Sequence, residues 1–113
     1  MAKAPPEHVV HFGELLDAIG EVSIRRMFGG WGFFRDGLMF ALEYNGILYL
    51  KADDDNRESF TEMDLPAFLF VSKSGKEGQL SYYQSPELAL QTPATMKPWA
   101  QASFDAAVRQ RKD

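Results

Sequence analysis

The stretch from Ser23 to Lys51, SIRRMFGGWGFFRDGLMFALEYNGILYLK, constrains the fold most, because its apolar period becomes two and its turns are very short. Leu38, Phe40, Leu42 and Tyr44 alternate with Met39, Ala41 and Glu43, as in a strand whose successive side chains point to opposite faces. Asn45-Gly46 follows, a dipeptide that tolerates the two positive φ angles of a type I′ hairpin turn, and Ile47–Lys51 returns as the next strand. Arg35-Asp36-Gly37 supplies a similar turn one step earlier. Turns this short join only antiparallel neighbours, so residues 24–51 are expected as a three-stranded meander rather than a βαβ unit.

The flanks are helical or hairpin-like. Val9, Phe12, Leu15, Leu16 and Ile19 recur at helical spacing after Pro5-Pro6, and Gly20 is placed to end that helix. Asp53-Asp54-Asp55 precedes a short helical pattern through Phe60 and Met63 that Pro66 ends, with an aspartate expected as its cap. Phe68–Lys73 and Leu80–Gln84 read as a second hairpin joined by Ser74–Gly78. Pro98 is expected to open the last helix, which runs to about Arg109. The order is α-βββ-α-ββ-α. That predicts an α+β fold of two layers, an antiparallel five-stranded sheet with helices on one face, in a single domain over residues 1–113 with a loose tail at 1–5.

A chain of 113 residues that is 45% hydrophobic and 13% aromatic can bury one real core. It has no cysteine, which excludes disulfides, thiolate metal sites and cysteine nucleophiles and suits a reducing cytoplasm. No apolar run approaches the ~20 residues that span a bilayer, and MAKAPPEHVV lacks a signal-peptide core, so a cytoplasmic protein without membrane contact is expected. The formal net charge of −4 opposes contact with phosphate backbones, so no strong direct nucleic-acid binding is expected.

Motifs that could carry chemistry have plainer explanations. FGGWGFF, residues 28–34, has the glycines of a phosphate loop but is followed by rings and a hairpin turn instead of a helix, so Gly29, Gly30 and Gly32 are better read as sites of a bulge, a bend or close ring packing. Its Gly-Phe rhythm echoes RNA-recognition strands, yet a helix followed by consecutive strands is not the order of that module. Trp31, Tyr82 and Tyr83 beside Lys51 and Lys73 leave a local aromatic and basic patch open. His8 and His11, three apart on a helix, supply too few ligands for a metal. No serine has a histidine and an acid arranged as a nucleophile requires, so no catalytic, cofactor or metal residues are expected and the chain is read as non-enzymatic.

Arg25-Arg26 resists a bland account. Adjacent strand residues point to opposite faces, so one arginine must meet the helices, a sheet edge, or a carboxylate such as Glu43 or Asp36. Arginine on an edge strand also guards against uncontrolled pairing.

Taken together, Ser23–Lys51, the segment PAFLFVSKSGKEGQLSYYQSPE and the PWAQAS that opens the last helix resemble the N-terminal domain of the TfoX/Sxy family, here as a stand-alone domain. Arg25, Arg26, Gly29, Gly30, Gly32, Lys51, Lys73, Tyr82, Tyr83 and Trp99 stand as in the family pattern, while Asp64 and the spacing of Leu65-Pro66-Ala67-Phe68 depart from it. The resemblance implies the same two-layer arrangement, similar to secretion-chaperone-like folds, and a regulator of competence genes that acts with the cAMP receptor protein. A non-enzymatic protein-interaction module is therefore expected, with transcription machinery or a second copy as the partner. The surface would be built on Arg25, Arg26, Trp31, Lys51, Lys73 and Tyr83. The alternative is a small-molecule or nucleotide sensor with a pocket between sheet and helices.

Overall fold

The computed structural model describes residues 4–27, 29–71 and 77–111. Helix α1 (Glu7–Leu16) runs into a 3₁₀ turn (Asp17–Ile19), and strands β1 (Ser23–Met27), β2 (Gly30–Arg35), β3 (Leu38–Tyr44) and β4 (Ile47–Lys51) follow. Then come α2 (Arg57–Thr61), β5 (Ala67–Val71), β6 (Glu77–Gln84), a second 3₁₀ turn (Glu87–Leu90) and α3 (Pro93–Arg111). The strands form one antiparallel sheet in the order β1-β2-β3-β4-β6-β5, so β1 and β5 are its edges.

The α+β class and its antiparallel sheet are as the sequence predicts, but the described residues form six strands where five were expected. The extra strand comes from the glycine run. Met27 pairs with Gly30 and Gly29 carries φ +76°, so β1 and β2 are two antiparallel strands instead of one bent strand. Asn45 and Gly46 (φ +53° and +83°) and Asp36 and Gly37 (φ +52° and +78°) make the two turns that the sequence marks. The Ser74–Gly78 turn begins outside the described residues.

The last helix also starts earlier than expected, at Pro93 instead of Pro98. Thr92 Oγ1 accepts from Thr95 N–H at 3.1 Å, and Thr95 Oγ1 accepts from Thr92 N–H at 3.0 Å. This reciprocal cap, with Pro93 at the first helical position where no N–H is needed, nucleates the helix. Pro98 then gives up the hydrogen bond to the Ala94 carbonyl and crowds that carbonyl with its ring, but both residues lie on the exposed side, where water can meet the freed group.

The main core lies between the sheet and the helices. Met96, Ala100, Phe104 and Ala107 form the buried stripe of α3, and Val9, Phe12, Leu15 and Leu16 that of α1. They meet Phe33, Phe40, Ala41, Leu48 and Leu50 of the sheet, where each large side chain contributes about 1.5–3 kcal/mol by leaving water. A β-bulge lets adjacent residues Phe40 and Ala41 both join this core: Phe33 pairs with Ala41 and Phe34 with Met39, leaving Phe40 as the extra residue. Met39 is thereby set on the opposite face. There Leu42, Phe68 and Tyr82 form a second cluster with Met39 and Tyr49. Burial pushes the Tyr82 hydroxyl well above the usual tyrosine range, and it remains a donor, to the Met39 carbonyl at 3.1 Å.

Candidate functional site

β1 carries Arg25 and Arg26 at the edge of the sheet, both exposed and on opposite faces. The guanidinium of Arg25 lies 4.7 Å from the centre of the Phe34 ring, and that of Arg26 lies 5.7 Å from the ring of Trp31, its cross-strand partner. Among the described residues, no carboxylate lies within ion-pair distance of either arginine. Ring faces hold the two planar groups without neutralising them, so their charge and their hydrogen-bond forks stay available to a partner.

Glu43, considered from sequence as an arginine partner, is taken elsewhere. Only 5% exposed, it accepts from Gly46 N–H at 2.9 Å and pairs with His8 Nε2 at 2.7 Å, which ties α1 to the β3–β4 turn. Its backbone also explains Gly30: a Cβ there would come within 2.1 Å of the Glu43 carbonyl oxygen. Among the described residues, no group of three or more histidine or acidic side chains gathers as metal ligands would.

The remaining residues expected in a partner surface are dispersed. Trp31 is 8% exposed and belongs to the main core. Tyr83, half-buried on β6, stacks on Phe60 with centroids 5.4 Å apart. Lys51, at the end of β4, is 8% exposed, with its ammonium 5.0 Å from the Tyr82 ring. Lys73 lies outside the described residues. Arg26 and Trp31 are thus brought together, Arg25 sits behind them on the other face, and Lys51 and Tyr83 lie across the sheet on β4 and β6.

A second feature escapes sequence inspection. A surface cleft of about 540 Å³ opens between the end of the sheet and α3, lined by Lys51, Asp53, Arg57, Ser81 and Arg109 among others. Arg109 donates to both oxygens of Asp53, Nε at 2.6 Å and Nη2 at 2.9 Å, and lies 3.4 Å from Asp55. These bonds hold the Asp53 carboxyl below the usual carboxylate range. Desolvation pushes the Lys51 amine below the ordinary lysine value, with nearby Asp53 opposing it. The aspartate run therefore anchors α3 through Asp53, whose Oδ1 also accepts from Asp55 N–H at 3.0 Å ahead of α2, while the residue directly preceding α2 is Asn56, which accepts from Asp53 N–H at 2.7 Å and donates to the Lys51 carbonyl at 3.0 Å. Arginines in a last helical turn were the only sequence hint of this cluster, since their partner is far away in the chain.

The TfoX N-terminal domain model matches residues 14–107, from the end of α1 through most of α3. The chain belongs to the TfoX N-terminal domain family. Among curated proteins it is similar to Protein Sxy of Escherichia coli (strain K12), 26% identical over 98 residues, which are 87% of this chain and 46% of that protein. It is also similar to DNA transformation protein TfoX1 of Aliivibrio fischeri (strain ATCC 700601 / ES114), 27% identical over 101 residues, 89% of this chain and 48% of that protein. This TfoX N-terminal domain therefore spans about half the length of the curated relatives it matches. Among its described residues, no helix is long and apolar enough to cross a membrane.

Proposed function

We propose that this TfoX N-terminal domain is a non-catalytic interaction module in competence regulation, acting by binding a protein of the transcription machinery. One relative is named a DNA transformation protein, and the family supports a regulatory role of that kind. The observation that carries the reading is the pair of exposed arginines on an edge strand, with no carboxylate at ion-pair distance among the described residues. Such a strand can offer backbone pairing and two guanidinium groups at once, which suits an acidic segment of a partner. The test is affinity capture from the native cell with the wild-type chain and with Arg25→Glu/Arg26→Glu. Capture of transcription proteins by the wild type, lost in the double variant while its melt is kept, supports the reading. Equal capture by both overturns it.

A small-molecule or nucleotide sensor is the second reading, favoured by the cleft beside the buried Lys51. The arginines of that cleft are already met by Asp53, Asp54 and Asp55, so they offer a phosphate less than the free pair on β1 does. A ligand retained through purification, or a thermal shift with nucleotides that Lys51→Met abolishes, would favour this reading over the first.

A further inference from the structure

The edge opposite the arginines is of the contrary kind. β5, Ala67–Val71, reads AFLFV, with no charge and no proline within it. It pairs with β6 on one side only, and among the described residues no strand meets its other side. Alternate backbone groups along that side have no strand partner. Leu69, the middle residue, is 63% exposed.

We infer that β5 pairs with β5 of a second copy of this chain, antiparallel and about a two-fold axis, to give one continuous sheet through the dimer. An isologous contact needs a patch that complements itself. An uncharged apolar strand meets that condition, since no like charges come face to face. Full overlap of the five-residue strand sets Leu69 opposite Leu69, Phe68 opposite Phe70 and Ala67 opposite Val71, so the exposed Leu69 side chain is covered by its own symmetry mate. The rival arrangement, β5 on β1, would be heterologous and would propagate into open fibres. Arg25 and Arg26 oppose it, because an apolar strand has nothing to pair with their charges. The chemistry of the two edges therefore selects a closed dimer over a filament. This contact is separate from the β1 surface proposed above, so either can fail without the other.

Light scattering coupled to size exclusion, applied to the whole chain from low to high micromolar concentration, tests this. The expected result is a mass moving toward twice 12.8 kDa as concentration rises. Leu69→Lys, an exposed substitution that sets like charges opposite one another, should raise the dimer dissociation constant about ten-fold or more, with the far-UV spectrum unchanged. Arg25→Glu/Arg26→Glu should leave the mass profile as in the wild type. A wild type that stays at the single-chain mass throughout overturns the inference and leaves the strand for a different protein. A dimer that survives Leu69→Lys but is lost in the arginine variant also overturns it.

Discussion

β1 and β5 both close the same sheet, and neither is covered by a further strand among the described residues, yet SIRRM carries two exposed arginines where AFLFV carries no charge at all. The flanking structure differs in the same sense. β1 is pinned to β2 over its whole length, from Ser23 opposite Phe34 to Met27 opposite Gly30, and its arginines lie over rings. β5 follows β6 through an irregular register between Ala67 and Leu69. An edge strand is a template for pairing, and the side chains on it decide what is admitted. On the two proposals above, one edge would select a charged partner, while the other would accept a strand like itself.

The largest effect on this contrast should come from Gly30→Ala. The added Cβ would press on the Glu43 carbonyl, where only backbone movement relieves it, so β2 must part from β3 and take the arginine edge with it. We expect a loss of about 3 kcal/mol or more in denaturant unfolding, as for overpacking in a close-packed interior. Leu69→Lys comes next, and acts on association alone: chemical denaturation of the dilute protein should change by no more than about 0.5 kcal/mol while the dimer weakens.

Tyr82→Phe sharpens the comparison from the middle of the sheet. It removes the hydrogen bond to the Met39 carbonyl and should cost about 1 kcal/mol without touching either edge, so neither dimer mass nor partner capture should respond. Arg25→Glu/Arg26→Glu gives up two exposed cation–π contacts, about 0.5–1 kcal/mol each, and should show as a small shift in the thermal melt with complete loss of capture. The Asp53–Arg109 pair should give the smallest effect. Because the carboxyl titrates below its unfolded value of about 3.9, the stabilisation is present above that pH and fades as pH falls through the folded value. Both partners are partly exposed, so Asp53→Asn should remove no more than about 1 kcal/mol at neutral pH, and flatten the acid limb of a stability profile.

What the sequence discloses follows from how local each signal is. The Asn45-Gly46 and Asp36-Gly37 turns, the apolar stripe of α1 and the exposed arginine pair are legible because a few adjacent residues determine them. The split of the first strand is not, since glycine serves a bulge and a hairpin equally well and only the pairing of Met27 with Gly30 decides between them. Pro98 misleads because the helix already starts from the cap at Thr92–Thr95 and runs through the proline on its exposed side. Trp31, Lys51 and Tyr83 look like surface residues by type, but Trp31 and Lys51 are buried and Tyr83 stacks on Phe60 of α2, and residue type does not report what packs above it. The bidentate hold of Arg109 on Asp53 depends on the end of α3 returning to the end of β4, a fact of tertiary structure alone.

Amide hydrogen exchange at two protein concentrations tests the contrast between the edges most directly. The account predicts that amides of β5 gain protection as concentration rises and lose it in Leu69→Lys, whereas those of β1 exchange at the same rate at both concentrations. Protection that rises on β1 instead, or that is independent of concentration on both edges, would contradict it.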